Sequence, residues 1–145
     1  MREATEKMRT LMSAWTPLQF ERTYAPGKWT ARQILVHLAQ TELALGNRAR
    51  MALTTPNYIA QAFDQDRWVE IESGRSGGSG GREALDALIA VNAMNRAFFS
   101  SLSAPARETP FSHPEYGSLT VDWIIHQMAG HLRHHLQHFE TIATR

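Results

Sequence analysis

The chain has 145 residues, 43% of them hydrophobic, which suits one packed core, and residues 1–145 read as a single domain. Its 15 Lys and Arg nearly balance its 14 Asp and Glu, and no basic stripe carries interleaved aromatics, so the electrostatic footprint of a nucleic-acid binder is missing. There is no cysteine, which excludes disulfides, thiolate metal sites and a cysteine nucleophile, and leaves nitrogen and oxygen to hold any metal.

The opening stretch MREATEKMRT is charged and has no apolar region, and no run approaches about 18 apolar residues. Neither a signal peptide nor a membrane span is expected, and the expected location is cytoplasmic. Met8, Leu11, Met12 and Trp15 recur at helical spacing, which predicts an amphipathic first helix ending before Pro17. Tyr24, Ala25, Pro26 and Gly27 read as a turn. Thr30 and Gln33 then have the form of a capping box, which opens a long helix to about Ala52. Thr54, Thr55, Pro56 and Asn57 break it, and residues 64–71 suit one or two helical turns.

Residues 73–81, SGRSGGSGG, have the composition of a flexible loop that cannot bury apolar surface. Leu85, Leu88, Ile89, Phe98, Phe99 and Leu102 mark the next long helix, and residues 105–118 read as irregular. Thr120 is a good N-cap, and Asp122 sits where the helix dipole favours a negative charge, so a last helix should run to about Ile142. Nothing alternates with period two, so no strands are expected. The pattern is all-α, and four long amphipathic helices in one small domain predict a four-helix bundle.

Four of the seven histidines fall within eight positions of the last helix. With about 100° of rotation per residue, its apolar residues fill an arc that takes in His135 and has His131 at its edge. His138 lies just beyond that edge, and His134 and His126 point further away. Two pairs, His131 with His135 and His134 with His138, have the i,i+4 spacing that lets one turn offer two imidazoles to one ion. The first borders the core and is the favoured pair. On the long second helix His37 flanks the stripe made by Ile34, Leu38 and Leu45. It can supply a third ligand in the way helix-bundle metal sites are built, from side chains on facing helices. Each element also has a bland reading: an HxxxH pair recurs by chance in histidine-rich helices, and a flank histidine is more often structural. His113 reads as a loop residue, and Trp15, Trp29, Trp68 and Trp123 as core or pocket-wall aromatics.

These segments resemble those of the DinB/YfiT-like superfamily. GKWTARQILVHLAQTE, at residues 27–42, is similar to the family's Trp-Thr entry into the second helix with its ligand histidine at His37. HPEYGSLTVDWIIHQMAGHLRHHLQHF, at residues 113–139, is similar to the family's His-Pro-Glu loop and last helix, its HxxxH pair falling on His131 and His135. FDQDRW, at residues 63–68, also resembles a segment found between the second and third helices. The resemblance implies a three-histidine site for a divalent ion such as nickel, zinc, iron or manganese, a small-molecule substrate and a homodimer. Two departures stand out. Gln40 occupies a position where many members carry an acidic residue, and the loop at residues 73–81 is unusually glycine-rich for the family.

The expected activity is that of a metal-dependent enzyme. Thiol S-transfer resembles the bacillithiol and mycothiol S-transferases of the superfamily, with a low-molecular-weight thiol as nucleophile, and hydrolysis is the sibling route. No catalytic residue can be assigned: Glu42, Asp64 and Asp122 are equally placed as general bases, and His134 and His138 could relay protons or merely solvate the helix. The alternative is a non-enzymatic dimeric bundle that binds a metal or small ligand. Leu35, Val36, Ala39 and Leu43 give that second helix an apolar surface away from His37, as expected of a helix that is either deeply buried or shared with another subunit.

Overall fold

Thr30 sets the start of the central helix. Its hydroxyl accepts from the Gln33 backbone N–H while the Gln33 side chain accepts from the Thr30 N–H, a reciprocal capping box. The computed structural model describes residues 1–73, 78 and 80–145, and the glycine-rich loop expected at 73–81 lies largely outside the described residues. In chain order the elements are α1 (Arg2–Leu11), α2 (Pro17–Phe20), α3 (Ala31–Thr54), α4 (Gln65–Ser73), α5 (Gly81–Ser100), α6 (Ala104–Arg107), β1 (Pro110–His113), β2 (Gly117–Thr120) and α7 (Val121–Ala143).

The four long helices form the bundle. α3 packs along α5 and α7, and α1 closes the other side by touching the same two helices. One end of the core gathers Met8, Met12, Ile34, Leu35, Leu38, Leu85, Leu88, Leu132 and Phe139; the other gathers Leu45, Ala49, Phe99, Phe111, Ile124 and Met128. Leu35, Val36 and Ala39 are covered within the chain, and of that apolar surface Leu43 alone is exposed, at 57%. Deep burial therefore accounts for most of the second apolar face of α3. Among the described residues no helix is long and apolar enough to cross a membrane.

The expectation of no strands is corrected. β1 and β2 form a small antiparallel hairpin, with Phe111 opposite Leu119 and His113 opposite Gly117. Phe111 and His113 face inward while Pro110 and Ser112 face out, an alternation of only four residues that is too short to stand out from its loop. Gly117 takes a φ of 75° at the end of the turn, a conformation that glycine adopts without a Cβ clash. The hairpin delivers the chain to Thr120, whose hydroxyl caps α7 through the Trp123 N–H.

A buried polar knot ties α3 to α5. Both oxygens of Glu42 accept amide hydrogens, from Asn92 at 3.0 Å and from Asn95 at 2.8 Å. Burial pushes the Glu42 carboxyl above its usual value, and the two amides act in the opposite direction.

Replacing the fully buried Phe139 with alanine should cost about 3–5 kcal/mol in urea unfolding through lost burial and a residual cavity. Thr30→Ala should cost about 1 kcal/mol, because it removes one half of the capping box.

Candidate metal centre

α3 carries His37 in its second turn, and α7 carries His131 and His135 one turn apart. Packing of α3 on α7 brings the three rings together. His37 Nε2 lies 2.8 Å from His131 Nε2, which lies 3.1 Å from His135 Nε2. His37 and His135 are buried and His131 is half-buried. The three histidines form a group whose ligand atoms all lie within 4.8 Å of one another, close enough to share an ion. His37, which the sequence places on a helix flank, is only 3% exposed, packed among Trp29, His131 and His135 with ring centroids 5.0, 4.7 and 5.3 Å away.

Electrostatics keep these rings neutral. Burial, reinforced by neighbouring histidines, lowers His37 and His131 to about 4 and His135 to about 2. Neutral imidazoles carry one N–H and one lone pair each, so three nitrogens meeting at one point cannot all be donors there. A cation accepting three lone pairs satisfies the arrangement. It also leaves each remaining ring nitrogen as an N–H donor. His135 Nδ1 has the His138 Nδ1 at 3.2 Å, and His138 is itself stacked flat on Tyr24 with centroids 3.8 Å apart. His37 Nδ1 is buried with no partner, and so is Gln40 Oε1 one turn further along the same helix. The donor set suits a borderline divalent ion.

The remaining sequence candidates separate cleanly. His134 is exposed and joins His135 and His138 in a second, shallower group. His126 is exposed and pairs with Asp122. His113, expected as a loop residue, ends β1 and is buried, and its Nδ1 accepts from the Glu115 and Tyr116 N–H groups and holds the turn. Of the candidate bases, Glu42 is engaged by Asn92 and Asn95, Asp64 accepts from the Arg67 N–H, and Asp122 is ion-paired to Arg107. Gln40 donates to the Trp68 carbonyl and to the Glu72 carboxylate, so α4 brings a carboxylate next to the position where α3 lacks one. Sequence reasoning missed Glu72, because only the packing of α4 on α3 joins two residues 32 positions apart.

The profile of the DinB superfamily matches residues 1–139. The chain belongs to the DinB superfamily. A protein of Oceanobacillus iheyensis with the name "putative metal-dependent hydrolase" is 28% identical over 130 residues, covering 88% of this chain and 72% of its own length. A Bacillus cereus protein of the same name matches with the same identity and coverage. Among solved structures, YfiT from Bacillus subtilis, described as a probable metal-dependent hydrolase with an unusual four-helix bundle topology, superposes with a TM-score of 0.87 at 22% identity. That superposition covers 99% of this chain and 81% of YfiT. The mycothiol-dependent maleylpyruvate isomerase superposes with a TM-score of 0.75 at 14% identity, over 95% of this chain and 57% of its own. The structural likenesses agree with the all-α bundle, and the names of the sequence relatives speak of metal dependence.

Because an unfolded imidazole titrates near 6.5 and the buried three near 4 or lower, the unfolded chain binds protons that the folded one refuses. Chelator-treated protein should therefore lose stability as pH falls from about 6.5 to about 4, as read from urea midpoints, and His135→Phe should flatten that slope.

Proposed function

We propose that this member of the DinB superfamily is an enzyme that uses a divalent ion held by His37, His131 and His135 to act on a small molecule. One observation carries the reading: three neutral imidazole nitrogens from two helices meet at a single point in a largely buried setting. A bound ion supplies Lewis acidity, which ionises water or a thiol near neutral pH. The chain's own residues do the rest. α3 and α7 fix the direction of the rings, Trp29 packs beside His37, and with His135 Nε2 turned to an ion His138 Nδ1 would accept the Nδ1–H of His135.

The hydrolase names of the sequence relatives support hydrolysis. Glu42, Asp64 and Asp122, the candidate bases, are each engaged elsewhere, which suits a nucleophile that the ion itself would ionise, whether water or a thiol. The mycothiol dependence of one structural neighbour supports transfer of a low-molecular-weight thiol as the second reading. Nickel, zinc, iron and manganese all accept an imidazole set, and availability in the cell selects among them.

Purified protein should hold one equivalent of a divalent transition metal by elemental analysis. His37→Ala, His131→Ala and His135→Ala should each weaken uptake by roughly a hundredfold or more in competition with a chelating dye. With metal restored, release of nitrophenol from nitrophenyl esters should accelerate, and consumption of a thiol such as bacillithiol, mycothiol or cysteine by monobromobimane should stay slow. The reverse pattern assigns thiol transfer. Full occupancy with neither activity assigns a binding protein.

A further inference from the structure

Arg48 is the only buried arginine among the described residues, 9% exposed, and it is charged without a counter-ion. No carboxylate of the described residues lies within 4.0 Å of its guanidinium, whereas Arg32 pairs with Glu21 and Arg107 with Asp122. Its Nη2 donates to the Gln61 carbonyl at 2.7 Å, and of the five donors a guanidinium carries the others have no protein acceptor among the described residues. Burial pulls its pKa below the ordinary arginine value, against the smaller opposing influence of Tyr58, Tyr116 and Glu115. A guanidinium held this way has given up much of its water without gaining an anion.

The side chain lines a cleft of about 440 Å³. Tyr58, Phe63 and Trp68 form its aromatic walls, with the Phe63 and Trp68 rings 4.4 Å apart at 36° and the Arg48 guanidinium 5.5 Å from the Phe63 ring. Asp64, the one acidic residue in the lining, already accepts from the Arg67 N–H. The cleft stands apart from the histidine centre. Arg48 follows His37 by eleven residues, which on an α-helix is about 16 Å along the axis and about 20° around it, so both look out from one face of α3. The Trp68 carbonyl is bonded to Gln40 between them.

We infer that this cleft is a binding site for a small carboxylate with a flat apolar body, its carboxylate taken by Arg48 and its body by the Phe63 and Trp68 rings. A guanidinium presents paired N–H groups that match a carboxylate, and aromatic walls of this size hold a single ring. A phosphate would find the cation but nothing to match the rings. The inference does not depend on the metal reading.

The test is a titration of the purified chain with benzoate, followed by amide and arginine Nε–H nuclear magnetic resonance. The expected result is saturable shifts at the Arg48 Nε–H and in residues 58–68, with benzamide, the uncharged isostere, at least about tenfold weaker. Arg48→Met should lose about tenfold or more in affinity, with Arg48→Lys between the two. Trp68→Leu, which keeps the charge, should also weaken benzoate while leaving inorganic phosphate unaffected. His37→Ala should bind benzoate like the parent, which separates this site from a carboxylate on the metal. Should Arg48→Met fail to fold, the benzamide comparison and the Trp68 and His37 variants still decide. Equal binding of benzoate and benzamide, shifts that never saturate, or benzoate shifts gathered at the three histidines and abolished by His37→Ala would each overturn the assignment.

Discussion

Almost every side of α3 is covered, and the rest of the molecule follows from that burial. A helix packed against α5, α7 and α4 keeps most of its side chains from water, so each polar group buried there must look for a partner inside the protein. Glu42 finds Asn92 and Asn95; Gln40 finds the Trp68 carbonyl and Glu72; Thr41 returns its hydroxyl to the His37 carbonyl. His37 finds two more imidazoles and is left with a bare Nδ1. The polar residues of α3 thus double as the fastenings that fix its neighbours in register.

The same burial sets the chemistry of the histidine group. Removing imidazoles from water disfavours their protonation, and placing three together disfavours it further, because a charge on one ring repels a charge on the next. What results is a cluster of lone pairs near neutral pH, with Trp29 as a wall. His138 and Tyr24 form a second layer on the outer side of His135. That layer gives the histidine run of α7 an unequal division of labour, since His138 reaches His135 and His134 stays at the surface.

Much of this was legible before any coordinates. Helical periodicity and the Thr30 and Thr120 caps located the long helices to within a few residues, because capping is a local reaction between a side chain and the backbone next to it. The wheel of α7 also ranked its histidines correctly by burial, since rotation along one helix needs no knowledge of its partners. The hairpin was not legible. Its strands are four residues each, and the pairing of Phe111 with Leu119 is a contact across a turn whose pattern is too brief to register. The burial of His113 escapes the sequence for the same reason, because it comes from the fold of that turn.

By itself the sequence determined the helices, their inward faces and the pool of nitrogen donors, all of which are set by residues within a turn or two of one another. Only the tertiary structure decided which of those donors meet. It brought His37 within 2.8 Å of a ring 94 residues away, closed Glu72 over Gln40, and buried Arg48 without a counter-ion. Those outcomes depend on the relative rotation and spacing of packed helices, and that geometry is settled by the whole core at once.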